Sequence, residues 1–394
     1  LISLPTLIRT QLILARQGFH CRMQAQHTGC WNRCTTTSSR TLYVPPRRVV
    51  RSKALAPPQE QVCEVQAQFF ATHAWADQLQ QIQESALTQI TQTFLGVGPA
   101  ATKHAANGAL RVPSLDEKSS FVLRTFKGGP ELPHVYRTAC TAPMGPGMVL
   151  LKIGAHANMD KGTPFLDLEI GGTADNCLVA LMLTRRLCPI LHPEYLQKYW
   201  RTVPPPTATA SSAHQGELLS FAQLEADMRK RTQPYARSAF IGDATSKDST
   251  AAAGSTPSST SSTGAGGQQY VYRHFYSPQL WTRIATGGSG ALFSFDARDP
   301  GALAAVWADV GRFVGLWCAW AAADAAPGVP PLTGDALHEC RAYTRVQANA
   351  LDRDEQTQGS VFLFGQPAVD VMKETVSGAA TAAAAGSVPW WAQE

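Results

Sequence analysis

Between Ser120 and Leu183 the chain repeats a pattern that few folds accommodate: short apolar runs, often alternating, separated by Gly, Pro and Asn clusters. The runs Ser120–Phe126, Met148–Ile153, Pro164–Ile170 and Cys177–Leu183 read as strands. Only Gly171–Asn176 separates the last two. A parallel crossover needs roughly a dozen residues or more, so these two must form an antiparallel hairpin. A second hairpin is expected from Trp281–Ala285 and Ala291–Phe295, turning around Gly287–Gly290.

Helical segments flank the strands. Pro58–Phe94 reads as one helix, rich in Gln, Ala and Glu and stopped by Gly96 and Pro99. Pro193–Trp200 reads as a short helix, and Ala302–Ala325, Ala336–Leu351 and Pro367–Ser377 as longer ones. Helices, then an antiparallel sheet, then more helices predict an α/β fold: a three-layer α/β/α sandwich with a central antiparallel β-sheet. The apolar stretch Ala302–Ala326 contains Asp309, Arg312 and Asp324. Charges within about 20 residues argue against a transmembrane segment and for a buried amphipathic helix.

The net charge of +5 is unevenly placed. From Leu1 to Ala54 there are nine Lys and Arg and no acid; the first acid is Glu60. The rest of the chain holds 25 basic against 29 acidic residues, a net of −4, which removes the main support for nucleic-acid binding. An Arg-rich, Ser/Thr-rich, acid-free leader is the composition of an organelle transit peptide. Residues 1–53 are therefore expected to be a plastid transit peptide, with translation starting at Met23, and the protein is expected in the chloroplast. A basic tail without a targeting role has the same composition. Residues 54–394 form the second unit. About 243–268 are almost wholly Ala, Ser, Thr and Gly, a low-complexity insertion too poor in apolar side chains to offset ordering entropy.

Familiar cofactor motifs do not appear. Gly96-x-Gly98 follows a helix and runs into Pro99, unlike a dinucleotide loop. Ser289 lacks the spacing of a nucleophile elbow. No Cys-x-x-Cys occurs among the nine cysteines, and no His-x-x-x-His falls on an expected helix. No nicotinamide, flavin, phosphate or metal site is expected. Redox chemistry on such a chain would put electrons directly onto the substrate.

Four segments carry a family likeness. Leu191-His192-Pro193-Glu194-Tyr195-Leu196-Gln197-Lys198-Tyr199 is the strongest. Pro143 to Pro164 leads, with matching spacing, into Phe165-Leu166-Asp167-Leu168-Glu169, and Gln233-Pro234-Tyr235 and Phe275-Tyr276-Ser277-Pro278 follow in order. Over roughly Ser120–Phe240 and Tyr270–Ser377 the chain resembles the red chlorophyll catabolite reductases, relatives of the ferredoxin-dependent bilin reductases. The resemblance implies the three-layer sandwich, often as a homodimer, with no bound cofactor. It also implies reduction of a methine bridge in a linear tetrapyrrole, with reduced ferredoxin as electron donor and the pheophorbide ring-opening oxygenase as a neighbour. A non-catalytic tetrapyrrole-binding or scaffold protein of the same fold, or a phycobilin reductase, would share the likeness.

Residue by residue, Glu169 matches the family's functional Glu. Asp167 and Glu169 would share one strand face, roughly 7 Å apart, with Leu166, Leu168 and Ile170 on the other. A carboxyl on a half-buried face beside an apolar pigment stays protonated and can donate a proton. The same pattern also describes the solvated face of an edge strand. The family's second functional acid matches Asp354, with Asp352 in reserve, although the Gln-rich segment here departs from the family. Tyr276 matches an aromatic that lines the pigment pocket, and could equally be core. Arg283 and Arg273 could pair with a pigment propionate, or lie free on the surface. A ferredoxin-docking patch is expected from Arg185, Arg186, Lys198 and Arg201, or from Arg229, Lys230, Arg231 and Arg237.

Overall fold

The computed structural model describes residues 59–204 without 144 and 146, and residues 219–232, 271–273, 290–353 and 357–392. The leader and the insertion lie outside these residues.

Five long strands form a meander: β3 (Ser120–Gly128), β4 (Leu132–Ala142), β5 (Met148–His156), β6 (Phe165–Thr173) and β7 (Asn176–Thr184). Two short strands, β1 (Gly98–Pro99) and β2 (Ala109–Pro113), pair with β3. At the far side β9 (Gly290–Phe295) pairs with β7 and with β8 (Val271–Arg273). The sheet order is β1-β3-β4-β5-β6-β7-β9-β8, and every pairing is antiparallel. The β6–β7 hairpin forms as expected. The partner of β9 expected at Trp281–Ala285 lies outside the described residues. β4 was not among the expected strands. Pro133, His134 and Arg137 break its apolar alternation, yet it is buried along most of its length.

Helices cover both faces, giving the α/β/α layering. On one face sit α1 (Gln59–Thr72), α2 (Ala74–Thr93), α4 (Phe221–Thr232) and α5 (Pro300–Ala325). Leu79, Ile82 and Ile90 of α2 and Phe313 and Trp317 of α5 join Val149, Leu151, Ile153, Leu166, Leu168 and Ile170 in the larger core. Each such fully buried side chain contributes about 1.5–3 kcal/mol. On the other face α7 (Thr357–Phe364) and α8 (Gln366–Val376) bring Phe364, Val369 and Met372 against Phe121, Leu123, Cys140 and Leu150. Gly365, at φ 79, ends α7, and Pro367 opens α8 in the first turn where its missing N–H is harmless. Two further helices, α6 (Gly334–Arg353) and α9 (Ala379–Ala384), complete the C-terminal part.

The expected single helix over Pro58–Phe94 is two helices. The break at His73 has a local cause. Thr72 Oγ1 donates back to Gln68 O at 2.9 Å and the His73 ring donates to Phe69 O at 2.8 Å, so side chains compete with the helical ladder. α5 begins where Asp299 accepts from Gly301 N–H and Pro300 takes the first turn. By length and hydropathy α5 could cross a membrane, but here most of its surface is buried inside the protein. It is the core helix that its interrupting charges predict.

The most family-like segment turns out to be architectural. Pro193 opens α3 (Pro193–Leu196), which passes directly into a π-helical turn, Gln197–Arg201. There Lys198 and Tyr199 both reach the buried carboxylate of Asp324 at the end of α5, Tyr199 Oη donating at 2.6 Å. Thr163 Oγ1 donates to the same carboxylate. Tyr195 Oη accepts from the Arg186 N–H at 2.8 Å, and His192 meets Glu339 of α6 at 2.9 Å. The segment thus clasps the connection after β7, α5 and α6 together.

Candidate functional site

Strand alternation puts the even-numbered residues of β4 from His134 onward and of β5, and the odd-numbered residues of β6, on the sheet face that α7 and α8 partly cover. Register then fixes the neighbours. Lys152 lies opposite both Thr138 and Glu169, and Gly154 lies opposite both Tyr136 and Asp167. The result is a buried cluster of Lys152, Asp167, Glu169 and Tyr136 in the middle of the sheet.

Lys152 Nζ is 3.0 Å from Asp167 and 3.7 Å from Glu169. Both carboxylates are almost fully buried, at 0 and 2% exposure. β6 is central, not an edge strand, so the solvated-face reading of Asp167 and Glu169 is excluded. Burial alone would push the Lys152 ammonium down. Attraction from Asp167, Tyr136 and Glu169 outweighs it and holds the ammonium above its ordinary value. Burial pushes the Tyr136 phenol up, so it remains an O–H. From the opposite face, Gln83 of α2 donates to Thr138 O and Lys152 O at 2.8 and 2.9 Å, fixing the two strands behind the cluster.

Gly154 has a steric role. A Cβ there would fall 2.3 Å from Tyr136 Cε1 and Cζ and 2.5 Å from its Oη. Only glycine lets the phenol lie across β5 toward the carboxylates.

A second buried group sits at the end of the same face. His134 and His156 face each other across β4 and β5 with ring centroids 6.0 Å apart. His156 stacks on Phe165 at 4.2 Å, and its Nδ1 accepts from the Arg186 guanidinium at 2.8 Å. Arg186 also donates to Thr163 O, Thr344 Oγ1 and Gln347 Oε1. It is fully buried. Its expected place in a ferredoxin-docking patch is therefore corrected: an Arg-Arg pair does not reveal which member turns inward. Lys198, from the same patch, is tied to Asp324.

Burial pushes His134 down to about 4, against the support of its bond to Val376 O. Burial, and then the Arg186 charge, put His156 well below its ordinary value. Both are neutral when folded, whereas an unfolded histidine titrates near ~6.5. As pH falls from ~6.5, the unfolded chain takes up protons that the folded chain refuses. Stability is fully present above that pH and is lost through the folded pKa. His134 alone accounts for roughly 3 kcal/mol of loss between pH 7 and 4, and His156 adds to it. Urea unfolding across this range should show the decline, and His134→Gln should flatten it. Parallel pH profiles for the two proteins would contradict this assignment.

Of the residues singled out in the sequence, Asp167 and Glu169 come together on β6. Tyr276, Arg283 and Asp354 lie outside the described residues. Arg273 ends β8 and Asp352 lies in the last turn of α6. Lys152, Tyr136, His134 and His156 were not among the expected site residues, and Arg186 was expected only at a docking surface. The one available signal was Lys152 within the apolar run Met148–Ile153, where a lone charge demands a buried partner.

No known family profile matches the chain, and no curated protein matches it. Among solved structures it is similar to the crystal structure of phytochromobilin synthase from tomato in complex with biliverdin. Identity is 12% and the TM-score 0.46, over 75% of this chain and 82% of that one.

Proposed function

We propose that the protein is a reductase of a linear tetrapyrrole, specifically the ferredoxin-driven conversion of red chlorophyll catabolite to the primary fluorescent catabolite. The observation that carries the reading is the buried Lys152–Asp167–Glu169 cluster on one sheet face. The ordered resemblance of segments from Pro143 to Pro278 supports it. Saturating one methine double bond takes two electrons and two protons. Reduced ferredoxin supplies the electrons one at a time, directly to the pigment with no bound cofactor, and a carboxyl of the protein supplies a proton. Asp167 holds the shorter contact with Lys152, and Glu169 is assigned as the carboxyl that passes a proton to the pigment. Asp354 as second donor, Tyr276 and Arg283 as pigment contacts, and a plastid location beside the ring-opening oxygenase belong to the same proposal.

The test is anaerobic incubation of the protein with red chlorophyll catabolite and reduced ferredoxin, with no other cofactor added. Blue fluorescence from the product is expected. Tight binding of the pigment without product would instead make the protein a tetrapyrrole carrier, and absence of both would overturn the reading.

A further inference from the structure

β4 carries an unusual row of unmet hydrogen-bonding capacity. Three successive inward positions, His134, Tyr136 and Thr138, are all buried. Nδ1 of the first, Oη of the second and Oγ1 of the third each lack a hydrogen-bond partner among the described residues. Buried polar side-chain atoms nearly always have one. Three in succession on a single strand face mark groups kept for something outside the chain. Same-face positions are about 6.6–7 Å apart, so the row runs for about 13 Å.

Each group has a defined polarity. His134 Nε2 lies 2.9 Å from Val376 O. A carbonyl can only accept, so the ring proton is on Nε2 and Nδ1 offers a bare lone pair. Tyr136 offers an O–H, and Thr138 can donate or accept. Gly154 lets the phenol cross β5, where it interacts electrostatically with Lys152, Asp167 and Glu169. The middle of the row therefore adjoins the acid cluster.

We propose that His134, Tyr136 and Thr138 form a hydrogen-bonding rail for the ring N–H and carbonyl groups of a linear tetrapyrrole lying on this sheet face. The inference rests on the proposed function and adds the residues that orient the pigment. His134 Nδ1 takes a ring N–H. Tyr136 donates to a neighbouring carbonyl and so holds the reacting region beside Glu169. These are positioning residues: they set where the pigment lies, and the carboxyl does the chemistry.

Tyr136→Phe and Thr138→Val each delete one unpartnered hydroxyl while preserving shape. Red chlorophyll catabolite is titrated into each protein and followed by its absorption spectrum, alongside thermal unfolding of the free proteins. Each variant should unfold at or above the wild-type temperature, bind the pigment up to about tenfold more weakly, and shift its absorption maximum. If the wild type binds pigment and both variants match its affinity and spectrum, the rail is overturned while the reductase reading stands. Lower unfolding temperatures in both variants would also overturn it, since the hydroxyls would then be bonded within the free protein. A wild type that does not bind the pigment at all overturns the reductase reading and the rail with it.

Discussion

Glu169→Gln is expected to slow the proposed reduction of red chlorophyll catabolite by about 10²- to 10⁴-fold, the usual contribution of a positioned general acid. The replacement keeps the size of the side chain and its capacity to bond, and removes its ability to take up and release a proton. Pigment affinity should stay close to wild type, because the proposed contacts to the ring system, His134, Tyr136 and Thr138, lie on β4. Single-turnover fluorescence and a separate binding titration distinguish the two quantities. Undiminished turnover would remove Glu169 from the mechanism. A large loss of affinity with turnover intact would make it a binding group only.

Asp324→Ala should produce the largest loss of stability, about 3–5 kcal/mol. The carboxylate is buried at the end of α5 and accepts from Thr163, Tyr199 and Lys198. Its removal leaves two buried hydroxyls without their acceptor, and these dominate the cost because Lys198 can turn to solvent. Chemical denaturation of the full chain measures the loss. A change below about 1 kcal/mol would mean that the clasp between the 191–199 segment and α5 is incidental.

The two cases show what sequence could and could not supply. The Leu-Asp-Leu-Glu-Ile alternation of β6 was legible because a two-residue period separates faces without knowledge of any neighbour. That both faces of β6 are buried was not legible, since burial of the carboxylates depends on which strands flank it. β4 was missed because its polar inward row resembles a loop in one dimension. The same row is the unusual feature once the sheet is assembled. Segment 191–199 draws notice by its letters, but the contacts it makes are structural, through a partner more than 120 residues away. Recognition of a motif and assignment of a role are separate steps.

The meander also has a kinetic meaning. β3 to β7 are joined by connections of only two to eight residues, whereas β9 must find β7 across the 105 residues from 185 to 289. Chain closure over short separations is cheap and early. The strands bearing His134, Tyr136, Lys152, Asp167 and Glu169 are therefore expected to assemble first, with β9 added late. Pulse-labelled hydrogen exchange during refolding should protect the amides of β4–β6 before those of β9, and simultaneous protection would refute that order. The segment with the hardest electrostatic problem to solve is thus the one that the chain can organise with the least search.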